Sequence, residues 1–344
     1  MSHFITYLAL EEAAAVDAES LAERYRSLYG EDAYAIQTIS DAGPETEGQA
    51  FVVMMDKLPV SVMFIDKPLP ADAYQEALAL DLAWLEAREV MQRHQAHVIV
   101  ALVDDPRDHL DNLNGAAAVT LVTGALATLL PTAALISTEG RVIMKPDMFG
   151  PLVGSLANHE IPVAFWVAMG FAQEKDADGK DTVRVLTYGL SPFIGREVEC
   201  LAASMPAAAI AEWLVNLSHY LVRHGPVIKD QDQTSLTPQE MVRATYRAEG
   251  FGRAIPVIEF NMDETELPES QADDEASASV SVLTRSRVTV PEPMPVQDYE
   301  APAKRQVVVF GKRGALKPAT APAQAAAQTK GPAGWPGLRL FARK

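Results

Sequence analysis

The sequence predicts an α+β protein: two α/β sandwich halves of the ferredoxin-like type side by side, followed by a disordered C-terminal tail. Three observations predict it. Strand-like apolar runs and helix-period segments follow the order strand, helix, strands, helix, strand, twice over residues 1–260. A chain of 344 residues that is 48% hydrophobic has ample material for a buried core. After Phe260 the composition changes abruptly. The expected divisions are an N-terminal half at 1–110, a C-terminal half at 111–261 and a Pro/Ala-rich tail at 262–344.

In the first half, residues 4–10 (FITYLAL) are rich in strand formers. Residues 14–29 read as a helix closed by Gly30, a residue suited to a helix C-cap. Residues 34–39, 50–55 and 60–65 read as strands, separated after the first by the turn-rich DAGPETEG. Residues 71–93 read as one long helix, with Tyr74, Leu78, Leu82 and Leu85 at three-to-four spacing and Pro70 and Asp72 at its start. Residues 97–103 (HVIVALV) have the pattern of a buried strand.

The second half opens with an apolar helix at 114–130 and a short strand within 134–143. A short helix covers 147–158. Residues 163–171 and 182–189 read as a hairpin with the polar tip EKDADGKD. A strand at 196–202 and an amphipathic helix at 207–223 follow, and strands at 227–229 and 255–260 close the half. Residues 115–136 carry no charge and are long enough to span a bilayer. They are Ala/Thr/Gly-rich, divided by Pro131 and preceded by the cap-like Asp111, Asn112 and Asn114, which favours a soluble core helix and no membrane insertion.

The net charge of −17 is unevenly distributed. Residues 263–275 hold seven acids and no base, residues 301–344 hold nine bases and no acid, and residues 1–260 carry −18. So acidic a body repels phosphate backbones and argues against a nucleic-acid ligand. The single cysteine, Cys200, excludes an internal disulfide framework and a multi-cysteine zinc site. The opening residues lack the pattern of a signal or transit peptide, which points to the cytoplasm. Two islands interrupt the tail, 307–313 (VVVFGKR) and 338–344 (LRLFARK). Each joins aliphatic residues and a phenylalanine to two bases. Such islands suit docking on a partner, through Phe310, Lys312, Arg313, Phe341, Arg343 and Lys344, or folding back on the acidic body.

Few residues carry the pattern of a reactive site. His94 and His97 form H-x-x-H where a helix turns into a strand, so their rings diverge, and a shared metal would need a third ligand from elsewhere. His219 and His224 have no better spacing, and no metal site or cofactor is expected. Glu197 and Glu199 fall on one face of a strand, as paired carboxylates for acid/base work or as a solvated edge face beside Arg196. Cys200 falls on the opposite face, with the pattern of a buried inert thiol. Residues 230–234 (DQDQT) offer oxygens to a hard cation but lack the glycine and closing glutamate of a calcium loop, so a turn is expected. P-loop, dinucleotide-binding and nucleophile-elbow motifs are missing.

Residues 187–199 (TYGLSPFIGREVE) join a T-x-G-L element to an apolar-Gly-basic-Glu-apolar-Glu strand. Downstream, a helix supplies Asn216, His219 and Tyr220, and an acidic turn contains Asp230, Asp232 and Thr234. Upstream stand Trp84, the H-Q-A-H-V junction of His94 and His97, and the F-W-V segment around Trp166. In this order, with Gly189, Gly195, Arg196, Glu197 and Glu199 at its centre, the chain resembles the bacterial domain-of-unknown-function family 4261 over about residues 50–260. The family's acidic turn usually carries two glycines that this chain lacks. The resemblance implies no activity. It associates the chain with accessory or immunity-type proteins of bacterial competition and secretion loci, type VI secretion among them.

Three functions are compatible with these features. The first is a cytoplasmic interaction protein that binds a protein partner through its acidic body, its tail, or both. The second is an enzyme using Glu197 and Glu199 with one of His94, His97 or His219, which requires these side chains to converge on one pocket. The third is a regulatory module holding a small molecule between the two halves.

Overall fold

Alternation in the strands and three-to-four spacing in the helices fold the chain into two sheets separated by helices. The computed structural model describes residues 4–30, 35–39, 50–175, 179, 181–202, 205–237, 240–250 and 254–266. Both tail islands lie outside the described residues. The first region contains β1 (Ile5–Leu10), α1 (Ala18–Tyr29), β2 (Ile36–Ile39), β3 (Ala50–Met55), β4 (Leu58–Ile65), α2 (Gln75–Leu80), α3 (Ala87–Arg93) and β5 (Ala96–Leu102). Then come α4 (His109–Leu129), β6 (Thr132–Ser137), β7 (Val142–Met144), α5 (Pro146–Ala157) and α6 (Val163–Trp166). The remainder is β8 (Ala168–Lys175), β9 (Asp181–Tyr188), α7 (Ser191–Ile194), β10 (Glu197–Ala202), α8 (Ala207–His224), β11 (Gln233–Thr237), β12 (Glu240–Arg247) and β13 (Val257–Glu266).

The α+β class with two sheets is as the sequence predicts. The first sheet has the order β2-β3-β4-β5-β1-β6-β7 and is antiparallel throughout. The second has the order β11-β12-β13-β10-β9-β8, with one parallel pair, β10 and β13. The sheets divide the chain beyond Met144, because β6 and β7 continue the first sheet on the far side of β1.

Three elements differ from the expectation. The helix expected over 71–93 is broken: after a 3-10 turn at Ala71–Ala73, α2 ends at Leu80 and α3 begins at Ala87. The cause is Asp81, whose carboxylate accepts hydrogen bonds from the Ala83 and Trp84 amides and offers the backbone a local alternative to the helix. Trp84 then turns inward, while Leu82 and Leu85 stand 69% and 89% exposed. Residues 163–166 form a helical turn rather than a strand, because the Pro162 carbonyl accepts the amides of Phe165 and Trp166. Residues 227–229 are not a strand; the hairpin β11–β12 takes that role.

The apolar helix α4 lies in the core, in contact with α1, α5 and the strands β1, β4 and β5. Leu113 and every residue from Gly115 to Leu126 are buried. By length and composition α4 could cross a membrane; in the fold its glycines let neighbours approach closely, Gly115 against Leu102 and Gly124 against Tyr29 and Val153. The indole of buried Trp166 donates to the Thr120 hydroxyl of α4 at 2.9 Å and stacks on Phe193 of α7 at 5.6 Å. On the second sheet, Ile210, Leu214, Leu217 and Leu221 of α8 form a buried stripe at helical spacing. They share one core with Val185, Val198, Cys200 and Phe260.

Thr120 tests the tie between α4 and the second region. Replacing Thr120 by Val should strand the buried indole N–H and cost about 1–3 kcal/mol in denaturant unfolding. In that background Trp166→Phe should cost less than it does in the native chain, the signature of a coupled pair.

Candidate functional site

The signature residues converge on one carboxylate. Glu197 is at the start of β10, an interior strand between β13 and β9, and it is buried. One of its oxygens accepts from the amides of Gly189 and Ser191, at 3.0 and 2.9 Å. The other accepts from the Leu190 amide at 3.1 Å and the Thr187 hydroxyl at 2.8 Å. The Thr187 oxygen in turn accepts the Val198 amide at 2.8 Å, which closes the strand pair onto itself. Glu197 therefore clamps the turn from β9 into α7. Burial pushes its carboxyl up, against the four donors that pull it down. Between the ordinary carboxylate value and this raised one, the folded chain holds a proton that the unfolded chain releases. This residue alone therefore lowers stability as pH rises through that window.

The glycines of the signature serve the same turn. Gly189 sits at φ +111°, and a Cβ there would stand 2.1 Å from the Trp166 carbonyl oxygen and 2.8 Å from the Gly140 Cα. Three backbone segments, from the β6–β7 turn, from the end of α6 and from the turn after β9, meet without room for a side chain. The Gly140 carbonyl also accepts the Ala168 amide at 3.0 Å. Gly195, at φ +77° and ψ 2°, ends α7 in the left-handed region.

Glu199 lies on the same strand face as Glu197, as period two requires. The sequence offered a solvated edge face as one reading; the structure buries both carboxylates on an interior strand. Glu199 pairs with Arg184 of β9 at 2.7 Å, and Arg184 pairs with Glu174 of β8 at 3.1 Å. Beyond Glu199, Glu259 of β13 pairs with Arg247 of β12 at 3.0 Å. The row Glu174, Arg184, Glu199, Glu259, Arg247 thus crosses the sheet on the face opposite α8. Cys200 is on the other face, fully buried, and burial followed by the Glu199 charge pushes its thiol well up.

The remaining signature residues hold other parts of the chain. His94 caps α3, and its Nε2 accepts the Leu69 amide at 2.7 Å while Nδ1–H donates to the Met91 carbonyl at 2.6 Å. His97, on β5, donates from Nδ1 to the Lys67 carbonyl at 2.8 Å. The two imidazoles grip the same loop two residues apart. Arg196 lies 3.9 Å over the Tyr246 ring. Asp230 accepts the Tyr246 amide at 2.8 Å, and Asp232 accepts the Lys229 amide at 2.7 Å. Gln231 between them sits at φ +68°, so the acidic turn adopts a left-handed residue without a glycine. Thr234 is buried, and the Tyr220 ring lies tilted against His224 with centroids 4.6 Å apart. His219 is exposed on α8.

The structure thus brings Thr187, Gly189 and Glu197 together, and Glu199 with Arg184. It ties His97 and Glu197 to different loops of different sheets, with no hydrogen bond between them among the described residues. No group of three or more His, Cys, Asp or Glu able to hold a metal occurs among the described residues. A narrow recess of about 20 Å³, little more than a water's worth of space, lies beside Trp166, lined by Phe4, Thr6, Thr120, Ser137 and Glu139 among others. Sequence reasoning missed Arg184, Asp81 and Tyr246. Arg184 alone had a readable signal, as the base on the strand that pairs with the Glu197–Glu199 strand.

Two outcomes follow. Glu197→Gln should cost about 2–4 kcal/mol of unfolding free energy, because its amide N–H₂ would face donors instead of accepting from them. His94 gives a pH effect of defined sign: burial, with His97 nearby, lowers its basicity below the ordinary 6.5. Its contribution is complete above that value and is lost as pH falls through it toward the lower folded one. Thermal midpoints measured between about pH 7 and 5 should therefore fall less steeply in His94→Gln than in the native chain.

Residues 186–261 match the family described as Domain of unknown function (DUF4261). Neither the curated proteins nor the solved structures give a match. The matched span contains the Glu197 clamp, its turn, Glu199, α8 and the acidic turn, whereas Arg184, His94, His97 and Trp166 stand outside it. Over residues 186–261, then, the similarity read from the T-x-G-L and G-R-E-V-E elements is to a family whose own description assigns no function.

Proposed function

We propose that the chain is a bacterial cytoplasmic interaction protein, of accessory or immunity type, that binds a basic protein partner through its acidic body. The observation that carries this reading is the net charge of −18 over residues 1–260, more than the whole chain's −17. A surface of that sign steers a basic partner toward encounter and makes the complex salt-sensitive. The geometry of the signature supports the same reading. Its carboxylates, threonine and glycines hold one turn in place, and its imidazoles hold another, which are the tasks of a scaffold. The association of similar proteins with bacterial competition and secretion loci makes a toxin domain or a secretion component the partner class.

The full chain, used as bait in its native host, should capture a basic protein that re-forms a stoichiometric complex from purified components. Raising salt from about 0.05 to 0.5 M should weaken that complex at least about tenfold. Failure to reconstitute any stoichiometric complex, or one indifferent to salt, would contradict the reading.

A further inference from the structure

The second sheet ends on one side at β8, which pairs with β9 alone. β8 keeps unbroken register with β9 over eight residue pairs and contains neither a proline nor a bulge. The other edge strands, β2, β7 and β11, have four, three and five residues. A long, regular edge presents a row of main-chain groups ready to pair with another chain.

The direction of those groups follows from the ladder. The Glu197 amide donates to the Pro256 carbonyl on the side of β13, and the Val198 amide donates to the Thr187 hydroxyl on the side of β9. Alternation then turns the main-chain groups of Thr187 and Val185 toward β10, and those of Leu186, Arg184 and Thr182 toward β8. The Thr182 hydroxyl reaches the Glu174 carbonyl at 3.2 Å, as that direction requires. On β8, Gly170, Ala172 and Glu174 therefore face β9, whereas the N–H and C=O groups of Phe171, Gln173 and Lys175 point to the open edge. They meet no main-chain partner there among the described residues. Phe171 is 41% exposed, and Gln173, Glu174 and Lys175 are exposed beside it.

Charge distinguishes the occupants of this edge. β8 carries one acid and one base, and each is already matched within the chain, Glu174 by Arg184 and Lys175 by Asp181. Such an edge has no net attraction for a basic partner. Two copies of the chain, each with −18 over residues 1–260, repel through their acidic surfaces but can meet at β8. In an antiparallel pairing centred on Gln173, Phe171 faces the second copy's Lys175, Ala172 faces its Glu174, and Gln173 faces its Gln173. No like charges stand directly opposite, and each exposed phenyl ring gains an ammonium beside it.

We propose that two copies of this chain associate through β8, antiparallel about a two-fold axis at Gln173, joining their six-stranded sheets edge to edge. About six main-chain hydrogen bonds close the edge over Phe171–Lys175. The contact is isologous and uses the same stretch on both copies. It does not depend on which partner the acidic body binds.

Light scattering of the full chain at about 50 µM should give a doubled mass, and added salt should tighten the pair by screening the acidic bodies. Gln173→Pro removes the N–H groups at the axis and no bond to β9. Circular dichroism should therefore stay unchanged while the dissociation constant of the pair rises at least about tenfold. Gln173→Cys gives a readout that requires no loss of contact. The axis holds its two Cα atoms about 5.5 Å apart, within disulfide reach, so mild oxidation should yield a covalent dimer. Cys200 is fully buried and does not compete. A single mass at low and at high salt would overturn the proposal. A doubled mass that survives Gln173→Pro, with no covalent dimer from Gln173→Cys, would place the contact elsewhere and overturn it equally.

Discussion

A carboxylate buried on an interior strand is costly unless its oxygens are matched by donors. Glu197 meets that condition through the backbone: three consecutive amides and one hydroxyl close around it. The requirement runs in both directions. The amides of Gly189, Leu190 and Ser191 stand at the entry to α7, where a helix leaves its first N–H groups without partners, and only an acceptor supplied from elsewhere satisfies them. The carboxylate and the turn therefore stabilise each other, and the path from β9 to β10 is fixed by that exchange.

The position of the turn then sets how the two sheets meet. Gly189 approaches the Trp166 carbonyl more closely than any residue with a side chain could, and Gly140 lies against the same point. Trp166 reaches across to Thr120 in α4 and stacks on Phe193 in α7. The clamp, the glycine contact and the indole thus form one chain of contacts from the second sheet to the core helix of the first. The charged row on the opposite face of the second sheet is a separate device: Arg184 holds Glu199 and Glu174 together across three strands.

Much of this was legible in the sequence. The stripe of α8, the hairpin of β8 and β9, and the buried state of Cys200 follow from spacing alone, whereas His94 and His97, expected to diverge, hold the same loop at Leu69 and Lys67. The α+β class follows from the order of the elements. Other features were not legible, for physical reasons. The spacing of Tyr74, Leu78, Leu82 and Leu85 imitates one helix, yet Asp81 stops it by capturing two amides, and Trp84 faces inward in place of Leu82 and Leu85. The hairpin β11–β12 has a readable alternation in Val242 and Ala244, obscured by the polar residues around them. The function of Glu197 was out of reach, because backbone amides leave no mark in the residue types. Pairing Glu197 with Glu199 by strand period was correct as geometry, while the roles of the two differ because one meets a turn and the other an arginine.

The account rests on the clamp being closed in solution. Site-resolved amide hydrogen exchange of Gly189, Leu190 and Ser191 tests it most directly, since exchange requires the bond to Glu197 to open. The account predicts that these three amides exchange only with global unfolding, at the rate of the core amides of β10. Exchange at the rate of an exposed loop, with β10 still protected, would contradict it.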